Sequence, residues 1–121
     1  MPTDYESFVS ACQRFEEEGI RGFSADYYYD YTCMETLQGL SAAELSTAAG
    51  RKWRTAYSDP GNTEKAGLDE TVWPKAFERM EQFIQDTGLS QDDLDMNYDD
   101  IVEMYQSGKL AMYFGTSAGV K

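Results

Sequence analysis

The stretch Lys109-Leu110-Ala111-Met112-Tyr113-Phe114-Gly115-Thr116-Ser117-Ala118-Gly119-Val120-Lys121 decides how the chain is read. Lys109–Phe114 is a short apolar run of strand character, and Gly115–Gly119 then matches the G-x-S-x-G elbow that presents a serine nucleophile after a strand. A serine triad needs a base titrating near neutrality, normally histidine, and the chain contains none. The lysines that could substitute, Lys109 and Lys121, sit at the strand start and the chain end, and no helix follows Ser117. Ser117 is therefore not read as a nucleophile. The loop after the strand needs another purpose.

Working outward, the 121 residues fit one domain with a modest core, and 41% apolar with 14% aromatic residues argue against disorder. The net charge of −12, with Lys and Arg scattered and not striped, disfavours nucleic acid as a partner. No run nears the roughly 18 apolar residues of a membrane span. The opening MPTDYESF has no apolar signal-peptide core. Cys12 and Cys33 lack metal or redox spacing and read as two buried thiols, with a disulfide possible only if the fold joins them.

Periodicity predicts a mostly helical chain. Thr3-Asp4-Tyr5-Glu6 has capping-box form and opens a helix over 4–18, with Phe8, Val9, Cys12 and Phe15 on one face and Gly19 as its stop. Ile20–Phe23 reads as a strand. Thr32–Leu40 reads as a helix with Met34 and Leu37 inward, and Ser41-Ala42-Ala43-Glu44 as the cap of a separate short helix stopped by Gly50. Arg51–Tyr57 adds a helical stretch with Trp53 and Tyr57 on one face. After the turn Ser58–Thr63, Asp69 caps a long helix to Thr87, with Val72, Trp73, Ala76, Phe77, Met80, Phe83 and Ile84 as its apolar stripe, Pro74 in its first turns and Gly88 as terminator. Asn97 or Tyr98 begins a last helix that Gly108 stops. The two apolar strands, lacking polar alternation, can pair, but a two-stranded sheet is poor on its own and hints at part of something larger.

Other motifs are weaker. Asp86-Thr87-Gly88 spells the aspartic-protease triplet, but at a helix end and not in a loop after a strand. Asp93–Asp99 begins like a calcium loop, yet Tyr98 stands where glycine is needed and Met104 where the bidentate glutamate is needed. It reads as a solvated acidic loop, and no metal or cofactor is expected. The knot Tyr27, Tyr28, Tyr29 and Tyr31, interleaved with Asp26 and Asp30, suits either a core or a pocket that stacks flat apolar faces and bonds hydroxyls, as sugars require.

The order of parts carries a resemblance. Pro2-Thr3-Asp4-Tyr5-Glu6-Ser7-Phe8, a helix ending Glu17-Glu18-Gly19-Ile20, Trp73-Pro74-Lys75-Ala76-Phe77 heading a helix that closes at Thr87-Gly88, Asn97-Tyr98-Asp99-Asp100, and Ser107-Gly108-Lys109-Leu110-Ala111-Met112 with its Gly-Thr-Ser loop resemble the central portion of extracellular solute-binding proteins of carbohydrate ABC importers, the maltose-binding-protein-like family. The resemblance covers nearly the whole chain. It implies an α/β, predominantly α fold: the helical portion of the C-terminal lobe of a type II periplasmic-binding-protein fold, with about two short strands.

It further implies that residues 1–121 form a single domain belonging to a larger two-lobed protein, whose signal peptide and lipid-anchoring cysteine lie outside this chain. The ligand contacts carried over are Asp26, Tyr27 and Tyr28 after the first strand, and Gly115, Thr116 and Ser117 after the second. Many members place a tryptophan just after that glycine. Here Thr116-Ser117 replaces it, which favours hydrogen bonding over ring stacking. The implied role is non-enzymatic capture of a carbohydrate at the extracellular face of the cell membrane or in the periplasm, and delivery to ABC permease subunits. The competing expectations are an acidic helical interaction domain without a small ligand, and a hydrolase using a carboxylate pair.

Overall fold

The computed structural model describes residues 2–62, 67–68 and 72–115. Among them lie five α-helices and two strands in the order α1 (Tyr5–Glu17), β1 (Arg21–Ser24), α2 (Asp30–Leu45), α3 (Ala48–Ser58), α4 (Trp73–Thr87), α5 (Tyr98–Gln106) and β2 (Leu110–Tyr113), with a 3₁₀ turn over Gln91–Asp95. The protein is thus α/β and predominantly α. None of the described helices is long and apolar enough to cross a membrane. The chain divides into two compact units: 1–33 with 84–121, and 34–83.

The first unit is built around the strand pair. β1 and β2 run parallel, with Arg21 opposite Leu110, Phe23 opposite Met112 and Ser24 opposite Tyr113. α1 leads into β1 through Glu18 and Gly19, whose φ of +76° only glycine adopts without strain. Its N-cap is Asp4, not the Thr3 that the Thr-x-x-Glu pattern suggests. The Asp4 carboxylate accepts from the Ser7 amide at 2.8 Å, and the Ser7 hydroxyl accepts from the Asp4 amide in return. The first good acceptor facing the exposed amides sets the start, and Asp4 is a stronger one than Thr3. Packing between α1 and β1 is close: a Cβ on Gly22 would lie 2.6 Å from the Cys12 backbone. Cys12, Phe23, Ala25, Tyr27, Ile101 and Leu110 form the core, with Phe8 edge-on to Phe23 at 5.4 Å. α5 starts at Asn97, whose side chain accepts from the Asp99 and Asp100 amides.

The second unit departs from expectation in α2. The helix runs unbroken through Gly39 and Ser41, where a stop and a fresh cap are expected. The Ser41 hydroxyl turns back to the Gln38 carbonyl at 3.0 Å, satisfying itself inside the helix instead of capping a new one. Met34 is exposed and does not face inward. The break comes later, where Thr47 caps α3 by accepting from the Gly50 amide at 3.1 Å. Gly50 is therefore in the first turn of a helix, not at the end of one. A Cβ there would meet the Glu44 carbonyl at 2.3 Å.

On α3, Trp53 stacks on Tyr57 at 5.0 Å and meets Trp73 edge-on at 5.3 Å. Its indole N–H donates to the Gly67 carbonyl at 3.0 Å. α4 begins at Trp73, so Pro74 falls in the first turn, where its missing N–H costs nothing. The expected cap Asp69 lies outside the described residues. Of the apolar stripe, Val72, Ala76 and Phe83 are buried, whereas Phe77 and Ile84 are exposed.

Candidate functional site

Parallel pairing places the carboxyl ends of β1 and β2 side by side, the position where open α/β sheets put their ligand loops. The Phe114 amide donates to the Ser24 carbonyl at 3.3 Å, extending the pair by one bond before the chains part. After β1, Ala25 is fully buried, and the Tyr27 amide turns back to its carbonyl at 2.8 Å. That tight turn points successive tyrosines in different directions. Tyr27 is 6% exposed and fills the core; Tyr28, whose amide donates to the Met96 carbonyl at 3.2 Å, is 62% exposed.

Asp26 is half-buried. The Thr32 hydroxyl donates to its carboxylate at 2.8 Å and the Tyr29 amide to its carbonyl at 3.1 Å, so Asp26 ties the loop to the first turn of α2. Tyr29 and Tyr31 stack at 5.4 Å, and Tyr28 meets Tyr29 edge-on at 5.2 Å. The exposed tyrosines thus form one aromatic surface beside a fixed carboxylate. On the β2 side, Phe114 and Gly115 are both exposed. Gly115 leaves only 3.1 Å between a notional Cβ and the Tyr113 ring.

The fold therefore brings Asp26, Tyr28 and Gly115 to one end of the strand pair. Tyr27 is at the same end but turned into the core. Thr116 and Ser117 lie outside the described residues.

Beneath this end is a polar knot that sequence reading misses. Asp93, expected in a solvated loop, is 1% exposed. Its carboxylate accepts from Arg21 Nη2 at 2.5 Å, Ser24 Oγ at 2.8 Å, the Ser90 amide at 2.7 Å and Ser90 Oγ at 3.1 Å. Arg21 also lies 3.6 Å from Glu16. The knot pins the 3₁₀ turn to β1, and the Met96 carbonyl just beyond that turn holds the Tyr28 amide. The only local hint was Ser90 three residues before Asp93, a capping-box spacing.

An open hollow of about 540 Å³ in this unit lies toward the amino end of β1. Cys12, Glu16, Glu17, Asp86, Thr87 and Gly88 are among its lining residues. It contains the protease-like triplet, which is a helix end: Gly88 has a φ of +67° and Asp86 accepts from the Tyr5 hydroxyl at 2.8 Å. Burial and that carboxylate push the Tyr5 phenol up to about 12. Both cysteines are free, and burial raises each thiol above its ordinary value, aided at Cys12 by Glu16 and at Cys33 by Asp30. No disulfide joins them.

No family model matches the chain, and no curated protein or solved structure matches it either.

Proposed function

We propose that this chain is part of the substrate-binding component of a carbohydrate ABC importer and contributes one wall of the ligand cleft without catalysis. The supporting observation is the parallel strand pair, whose adjacent carboxyl ends bear an exposed aromatic surface and a positioned carboxylate. Tyr28 offers a ring face, Asp26 a hydroxyl acceptor, and Gly115 a backbone that a ligand can approach closely. Thr116 and Ser117 are ligand contacts in this reading. Ligand capture then proceeds by closing an opposite lobe over the wall, a hinge motion and not a reaction. The sugar is handed to permease subunits at the extracellular face of the cell membrane or in the periplasm. The chain is, in this proposal, the helical portion of the C-terminal lobe of a type II periplasmic-binding-protein fold.

The test is an amide-resolved NMR titration with a panel of simple sugars. Shifts confined to the segments 26–29 and 113–115, growing without saturation and reduced by Tyr28→Ala, fit a half-cleft that holds sugar weakly. Binding at millimolar affinity or tighter, or shifts centred elsewhere, would sink the proposal.

A further inference from the structure

Although Lys and Arg are spread along the chain, three of the ten fall on α3, whose sequence AAGRKWRTAYS contains no carboxylate. Gly50 and Trp53 mark the buried side of this helix. Arg51, Lys52, Arg54, Thr55 and Ser58 are all exposed. Arg21 and Arg79 are held by carboxylates, Arg79 by Glu44 at 2.8 Å, whereas Arg51, Lys52 and Arg54 make no ion pair among the described residues. The Arg51 guanidinium donates to the Ser46 carbonyl, which steadies it beside the helix. Arg51, Arg54, Thr55, Ser58 and Asp59 line an open groove of about 530 Å³. The Asp59 carboxylate is already engaged by the Gly61 amide at 2.8 Å.

We propose that this groove docks an acidic polypeptide segment of a partner protein. Two guanidinium forks one helical turn apart match successive carboxylates, and the Ser58 hydroxyl supplies a further donor along the same line. In a chain of net charge −12, an isolated basic face attracts an acidic segment locally while the surrounding charge rejects wrongly placed partners. A membrane surface fits less well. An interfacial helix inserts its apolar side, and that of α3 is already committed to packing around Trp53. A broad anionic bilayer would also face the whole acidic molecule. The inference stands apart from the sugar-cleft reading, since it uses none of the residues at the strand ends.

The test is fluorescence anisotropy of a labelled oligoglutamate peptide with the full chain. Binding at low salt should fall at least about tenfold in R51Q/R54Q, the loss expected for two charge-assisted bonds. It should fall likewise at about 0.5 M salt and stay unchanged in R14Q. R54Q alone, at an exposed side chain with no ion pair among the described residues, keeps the fold and should show part of the loss. Absence of peptide binding, or an equal loss in R14Q, overturns the proposal. So does tighter, arginine-dependent binding to phosphatidylglycerol vesicles, which would make the face a lipid contact. The sugar titration is read at the strand ends and fails or succeeds independently.

Discussion

Removing the Asp93 carboxylate should expose how much of the loop architecture rests on one buried side chain. Asp93 receives four donors, three on Oδ2 (Arg21 Nη2, the Ser90 amide and Ser90 Oγ) and one on Oδ1 (Ser24 Oγ). Asp93→Ala strands all of them, including a guanidinium only 21% exposed. Breaking a buried pair from one side costs about 3–5 kcal/mol. Glu16, 3.6 Å from Arg21 and largely solvated, compensates in part, so the lower end, about 3 kcal/mol, is expected.

Asp93→Asn should be milder. Its amide oxygen can take the Oδ2 position and keep the Arg21 and Ser90 bonds. Its NH₂ then donates to Ser24, whose hydroxyl can rotate and become the acceptor. What remains is the lost charge assistance, about 1.5 kcal/mol. Urea unfolding at fixed pH, with circular dichroism and tryptophan fluorescence required to coincide, measures both values. An R21M/D93N double-mutant cycle isolates the pair. If Asp93→Ala and Asp93→Asn both fall within about 0.5 kcal/mol of the wild type, the argument that this knot anchors the loops is wrong.

Two further outcomes follow from local geometry. Gly22→Ala places a methyl against immovable Cys12 backbone and should destabilise by about 1–3 kcal/mol, whereas Gly39→Ala, in open space in α2, should stabilise by about 0.5–1 kcal/mol; thermal melts showing the same sign for both would refute the packing described between α1 and β1. The Asp4 carboxylate is held below its ordinary 3.8 by the Ser7 amide, so its contribution is present above that value and lost as pH falls through the lower folded value. Urea midpoints of wild type and Asp4→Ala should therefore differ at neutral pH and converge in acid, and a gap that widens on acidification would contradict the cap.

Much of the fold was legible where local chemistry decides. Gly19, Gly88 and Gly108 all stand at positive φ after helices, as their positions beyond apolar stripes suggest. Asn97 caps α5, and the two unalternating strands do pair. The failures have two causes, a nearby alternative that the pattern leaves open at Ser41 and Gly50 and a distant partner at Asp93. Ser41 looks like a cap until Gln38 is seen to accept its hydroxyl within a continuing helix. Gly50 looks like a stop until the close Glu44 carbonyl shows why no side chain fits. Asp93 looks solvated because its arginine is 72 residues away in sequence. The tyrosine knot was legible as dual-purpose, but which ring turns inward depends on the bond from the Tyr27 amide to Ala25.

The pairing of Arg21 with Leu110 also governs the order of events during synthesis. At ribosomal rates of about 5–20 residues per second, β1 waits on the order of 5–20 seconds for the strand that will complete it. The second unit, a continuous segment made in the interval, has every residue it needs before the first unit does. A nascent β1 meanwhile presents Phe23 and an unpaired backbone edge to any passing extended chain. The strand pair that carries the proposed binding loops therefore cannot close until the last described element has been made.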